Sequence, residues 1–182
     1  YLNLYRSGRI TSGDDIFEIT TDYPYGEEIN IKVVKVEKER NLALRIPEWA
    51  KKAEVSLNSV TRTVHAGYAE HKVETGDEIV LTLPLDVRTL SPDDVADVRT
   101  GRDDYMCVCR GPLVYALDFT EDAEPTYDID EKADAEFTDK ATVPCRSALV
   151  LKTTDGENVT LVDYRSAGQV RGHKVSAWIK VK

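Results

Sequence analysis

Leu42-Ala43-Leu44-Arg45-Ile46-Pro47-Glu48-Trp49 reads as a β-strand brought to a stop. Leu42, Leu44 and Ile46 recur every second position, the spacing that puts side chains on one face of a strand. Pro47 removes a backbone donor and fixes φ, so it belongs at a strand end or edge. The same grammar extends on both sides. Ile29-Asn30-Ile31-Lys32-Val33 alternates strictly, and Ile79-Val80-Leu81-Thr82-Leu83 alternates and halts at Pro84. Ile16 to Thr21 runs into the turn cluster Asp22-Tyr23-Pro24-Tyr25-Gly26. Val55-Ser56-Leu57 leads into Asn58-Ser59, a tight-turn signal, and Tyr68 to Val73 precedes Thr75-Gly76-Asp77. These six short strands are spaced near the interval of about 8–12 residues typical of a β-sandwich. Trp49 to Ala53 has room for one helical turn at most.

The second half resumes the pattern after a polar stretch, Ser91 to Asp104, rich in aspartate. Tyr105 to Cys109 and Leu113 to Leu117 flank Gly111-Pro112. Ala148 to Leu151 and Val159 to Val162 flank Thr154-Asp155-Gly156, a hairpin signal, and Val175 to Val181 closes the chain. The fold expected is all-β: two antiparallel, jelly-roll-like β-sandwich units in tandem. Residues 1–11 are expected to lead in from a preceding domain, with the first sandwich over 12–97 and the second over 98–182. Leu44, Ile46, Leu57, Ile79, Leu81 and Leu83 are expected in the first core. Val108, Leu113, Tyr115, Leu149 and Trp178 are expected in the second.

A net charge of −9 with scattered Lys and Arg argues against binding a phosphate backbone, which needs clustered cations. No nucleic-acid partner is expected, and no run of apolar residues approaches a membrane span. The start at Tyr1 has neither Met nor the basic-then-apolar order of a signal peptide. It reads as an excised fragment, so any localisation signal would lie upstream.

Chemistry is sparsely marked. Cys107 and Cys109 lie two apart on a strand pattern and read as small buried hydrophobes, as does Cys145. Zinc would favour C-x₂₋₄-C spacing with histidine, which Cys-x-Cys does not match. Asp128, Asp130 and Asp134 offer hard oxygen ligands without the EF-hand order, so their acidic stretch reads as a solvated loop. Thirty-three acidic residues make carboxylate pairs inevitable, but no apolar pocket marks a glycosidase pair. Glu48 reads as a capping or solvent-facing residue. His65, His71 and His173 are tied to no nucleophile motif. Trp49, Tyr68 and Tyr164 are the aromatics available to stack on a sugar ring, with Trp178 better suited to packing. No cofactor is expected in this chain.

Several segments resemble one family. Thr21-Asp22-Tyr23-Pro24-Tyr25 is similar to a T-x-Y-P-W segment, with Tyr25 in place of tryptophan. Leu42 to Trp49 resembles L-x-L-R-I-P-x-W, Ile79 to Pro84 resembles an E-L-x-L-P strand, and Arg110 to Leu117 resembles R-G-P-L-V-Y. Val162-Asp163-Tyr164 and Ala177-Trp178-Ile179 resemble a weaker tail in which Asp163 stands where proline recurs. Together they resemble the C-terminal β region of the β-L-arabinofuranosidases of glycoside hydrolase family 127.

The resemblance implies an upstream (α/α)₆ barrel holding a zinc-assisted cysteine nucleophile that acts on β-linked L-arabinofuranose. None of Cys107, Cys109 and Cys145 sits in a matching motif, so no catalytic or metal role is carried onto them. It further implies a non-catalytic role for this chain: bracing the barrel, its expected partner, with a homodimer as a second expected association. The rival reading is a carbohydrate-binding module for arabinose-containing glycans. Tyr1, Leu2, Leu4 and Tyr5 either lie at a seam with the barrel or add an edge strand to the first sandwich.

Overall fold

The computed structural model describes residues 1–95, 104–130, 135–141 and 143–182. The expected boundary at 97/98, most of the polar stretch after Ser91, and Asp134 of the acidic loop lie outside these residues. Among them are seventeen strands, one short 3₁₀ turn at Pro92–Asp94 and no α-helix. Antiparallel pairing dominates, in keeping with strands that bury one face and leave the other in water.

Two compact units divide the chain, Tyr1–Asp86 and Val87–Lys182. This shifts both expected domain edges. Residues 1–11 are part of the first unit: Gly8–Ser12 pairs with Asp15–Thr21, and Tyr5 is buried in the core. Val87–Leu90 belongs to the second unit because it pairs with Tyr105–Arg110.

The first unit contains β1 (Gly8–Ser12), β2 (Asp15–Thr21), β3 (Glu28–Lys35), β4 (Arg40–Ile46), β5 (Ala53–Leu57), β6 (Val60–Val64), β7 (Gly67–Val73) and β8 (Glu78–Thr82). Six strands form one sheet in the order β1-β2-β3-β8-β5-β6, and β4 pairs with β7 as a second. Ile29, Ile31 and Val33 of β3 all turn inward while the residues between them face water. Leu81 of the central strand β8 lies opposite Ile29 on one side and Val55 on the other. Asn58 and Ser59 both have positive φ, the geometry of the two-residue hairpin turn between β5 and β6. Strands β1 and β6 are absent from the sequence reading because almost all their residues are exposed, so they carry no apolar alternation. Leu57 ends β5 at this turn and is half-buried instead of buried.

The N-terminal segment extends the smaller sheet. Leu2 bridges Leu44 in parallel, its N–H donating to Ala43 O (2.8 Å) and its carbonyl accepting from Arg45 N–H (3.1 Å). The Tyr5 hydroxyl donates to Arg45 O at 2.7 Å. Burial, with Tyr23 beside it, holds this phenol well above the usual tyrosine range. Tyr5→Phe is expected to cost about 1 kcal/mol in urea denaturation, the net worth of one such hydrogen bond.

The second unit contains β9 (Val87–Leu90), β10 (Tyr105–Arg110), β11 (Leu113–Phe119), β12 (Thr126–Tyr127), β13 (Ala135–Phe137), β14 (Ala148–Lys152), β15 (Asn158–Asp163), β16 (Lys174–Ser176) and β17 (Trp178–Val181). They form one sheet in the order β12-β17-β10-β11-β15-β14-β13, with β9 also on β10 and β16 on β11. Gly111 takes φ +52° in the turn between β10 and β11, a conformation that favours glycine.

Both faces of this sheet are used. Val108, Tyr115, Leu149, Leu161 and Ile179 pack on one, and Val143, Ala148 and Val162 on the other. Trp178 and Leu113 are half-buried, not core residues as expected. Ile179 takes the inward position of β17, so Trp178 faces the other way, and Leu113 stands beside the Gly111-Pro112 turn. The run Val175 to Val181 is broken at Ala177 into two strands with different partners.

Candidate functional site

Strand β7 turns Ala69, His71 and Val73 inward. His71 is therefore a buried imidazole, not a surface ligand. Arg62 Nη2, on the neighbouring β6, lies 3.1 and 3.3 Å from its two ring nitrogens and donates to Glu70 O at 2.7 Å. Burial, and then the adjacent guanidinium, lower the His71 pKa from its ordinary value near 6.5. Above pH 6.5 the ring is neutral folded and unfolded; below it the unfolded chain binds a proton that the folded chain resists. Stability should be full above pH 6.5, fall as pH drops toward the lowered folded value, and level off beneath it. Urea denaturation from pH 8 to 5 checks this, with His71→Gln expected to flatten the fall.

The other histidines behave differently. His65 is exposed. His173 Nδ1 bonds to Asp118 Oδ1, and Gly168 N–H donates to Asp118 Oδ2 at 2.7 Å. The Asp118 carboxylate is only 1% exposed and the imidazole 19%. This pair, invisible in sequence because its members are 55 residues apart, orients the ring beside an open concavity of about 310 Å³ with Tyr127, Asn158 and Thr160 in its lining. Among the described residues no hydroxyl or thiol bonds to that ring, so no nucleophile–base arrangement is assembled.

Cys107 and Cys109 share one face of β10, as their spacing predicts, with sulfurs 4.0 Å apart. The hydrogen bond between them lowers Cys109 to about 7, with Arg88 contributing, while Cys107 is pushed up. Cys145 is half-buried and raised by burial and by Asp163. Among the described residues no three His, Cys, Asp or Glu side chains converge as a metal site requires. Glu48 is exposed.

The aromatic candidates separate. Trp49 is half-buried against the first core. Tyr164 is 58% exposed on the second unit. Tyr68 is 49% exposed, its hydroxyl donates to Asn3 Oδ1 at 2.8 Å, and its ring meets Tyr1 edge-on at 5.1 Å.

Beside Tyr1 opens a cleft of about 200 Å³ that sequence reading missed. Leu2, Phe17, Ile31 and Leu42 give it apolar walls; Ser12, Asp15, Arg40 and Asn41 give it polar groups. Arg40 Nε donates to Asp15 Oδ2 at 2.8 Å, with side-chain exposures of 51% and 12%, so the carboxylate lies deeper. Asp15 Oδ1 is the one buried side-chain polar atom without a hydrogen-bond partner among the described residues. An unpaired buried acceptor of this kind costs roughly 1–3 kcal/mol, more when charged.

An all-β region of two antiparallel units, with a small polar-floored cleft on the first, is thus defined. Residues 1–85 match a family model described as the middle domain of GH127 β-L-arabinofuranosidase. No curated protein matches the sequence. Among solved structures, a GH127 β-arabinofuranosidase is 17% identical with TM-score 0.72, covering 98% of this chain and 34% of that one. A GH127 β-L-arabinofuranosidase from Geobacillus stearothermophilus T6 is 20% identical with TM-score 0.69, covering 98% and 33%. A glycoside hydrolase is 21% identical with TM-score 0.70, covering 92% and 32%. At these identities the likeness is one of fold, and the chain spans about a third of the length of these structures. The first unit thus resembles that middle domain by family match, and both units resemble these structures in fold.

Proposed function

We propose that this chain is a non-catalytic accessory region of a β-L-arabinofuranosidase-like glycoside hydrolase, lying C-terminal to a catalytic barrel and bracing it. The observation that carries the reading is the family match over residues 1–85, joined to a fold likeness covering nearly all of this chain and a third of the larger structure. A model described as a middle domain supports a first unit lying between a preceding domain and the second unit. Zinc and the cysteine nucleophile belong to that preceding domain on this reading, and this chain holds no cofactor. Its own residues supply packing, not chemistry.

The direct test is activity. The purified chain is expected not to hydrolyse a p-nitrophenyl β-L-arabinofuranoside. Turnover that persists through purification, and vanishes on substituting a residue of this chain, would overturn the proposal.

Self-association through the exposed N-terminal surface belongs to the same proposal. Tyr1 and Leu4 are 83% and 79% exposed. Deleting residues 1–9 is a poor probe, because it removes the buried Tyr5 and the Leu2–Leu44 bridge. Tyr1→Ser with Leu4→Ser leaves those contacts intact. Light scattering is expected to show a dimer that this double variant dissociates; a monomer at high concentration would refute it.

Carbohydrate binding is the second reading, favoured by the exposed Tyr68 and Tyr164 rings and by the cleft beside Tyr1. Trp49, Tyr68 and Tyr164 remain its proposed sugar contacts. Trp49 doubles as a core contact, so Tyr68→Ala and Tyr164→Ala test the reading with less risk to the fold, in titration with arabinose oligomers.

A further inference from the structure

We infer that the cleft between β1, β2 and β4 of the first unit binds one neutral sugar residue through Asp15 and Arg40. The inference rests on the carbohydrate-binding reading and names its site.

Three observations converge. The first is the orphaned oxygen. Buried polar groups are almost always hydrogen-bonded, yet Asp15 Oδ1 has no partner while Oδ2 is held by Arg40. Asp15 as a residue is 8% exposed, and it lines the cleft. Oδ1 itself is closed to solvent, so a ligand O–H or N–H group reaches it as the carboxylate turns about χ2 into the cleft, a turn that satisfying this acceptor would favour.

The second is charge. A carboxylate and a guanidinium stand side by side, so an anion meets Asp15 and a cation meets Arg40. A neutral vicinal diol suits both: one hydroxyl donates to the carboxylate and the next accepts from the guanidinium. Ser12 and Asn41 add a hydroxyl and an amide to the lining.

The third is size and wall chemistry. About 200 Å³ falls below the roughly 300–1,000 Å³ of sites for drug-sized ligands. It has room for a single ring and not for an oligomer, which favours the end of a glycan chain. Phe17, Leu2, Ile31 and Leu42 present apolar surface to the C–H face of such a ring, with Tyr1 and its edge-on partner Tyr68 beside them.

Amide chemical-shift mapping on the full chain tests this. The probes are methyl β-L-arabinofuranoside, methyl α-L-arabinofuranoside, methyl β-D-galactopyranoside and, as a charged control, inorganic phosphate. Saturable shifts are expected for at least one glycoside, confined to the amides of residues 10–17 and 40–42 and their neighbours. The dissociation constant should lie in the millimolar range, as suits so small a ligand. Phosphate should give none. Asp15→Asn should weaken binding at least tenfold, with amide dispersion retained. Arg40→Gln, at a half-exposed side chain, should weaken it severalfold and keeps the test decisive if the first variant unfolds. Binding that survives both substitutions, or maps elsewhere, overturns the site while leaving the carbohydrate-binding reading standing. Preferential phosphate binding replaces it with an anion site. No shift with any glycoside overturns both.

Discussion

Asp163→Ala is expected to destabilise the second unit by about 3–5 kcal/mol, the summed cost of leaving three buried donors without their acceptor. Asp163 ends β15 and is fully buried. Its Oδ2 accepts from Arg146 N–H at 3.2 Å, Ser147 N–H at 3.1 Å and Ser166 Oγ at 2.8 Å. Its own N–H donates to Ser147 O at 2.9 Å. Alanine would strand three donors at the point where the chain enters β14, beside the Tyr115–Ser147 hydroxyl pair. Asp163→Asn keeps one amide oxygen for them and should cost about half as much. Urea denaturation, with hydrogen exchange at the Arg146 and Ser147 amides, checks both. A loss below about 1 kcal/mol would mean that water replaces the carboxylate.

The other large effect is expected at Leu81→Ala, about 3–5 kcal/mol off the first unit. Leu81 is fully buried on β8, between Ile29 and Val55 on the flanking strands. Sheet neighbours are held by backbone hydrogen bonds and cannot collapse into the space, so the lost transfer energy adds to a residual cavity. Leu57→Ala provides the contrast. It ends a strand at a turn and is half-buried, and its loss should be under half as large. Equal losses at the two positions would contradict the packing described for this sheet.

The alternating segments were legible because a half-buried strand writes its burial into its sequence. Ile29, Ile31 and Val33, or Leu44 and Ile46, could face the core in one register only, and the structure puts them there. Strands with little inward side left no such record. Strand β1 is exposed along its length, and β12 spans only Thr126–Tyr127. The domain edges moved for the same reason. Val87–Leu90 is half-buried throughout, a pattern without periodicity, and its allegiance was fixed by pairing with β10.

The candidate site was the less legible part. Aromatic residue types pointed to Trp49, Tyr68 and Tyr164, yet residue type does not say which ring is turned outward. Packing half-buried Trp49 and left Tyr68 and Tyr164 exposed. What the sequence determined by itself was the strongly alternating strands with their apolar inward faces, tight turns such as Asn58-Ser59, and the all-β class. These are local properties, set by period-2 geometry and by the backbone limits of proline and glycine. Tertiary structure alone decided that His71 points inward, that Asp118 meets His173, that Asp163 receives the 146–147 backbone, and that Asp15 keeps one oxygen unpaired beside Arg40. Those are meetings between residues far apart in the chain. Polar residues sit on outward and inward positions alike, and only the register between distant strands chooses their partners.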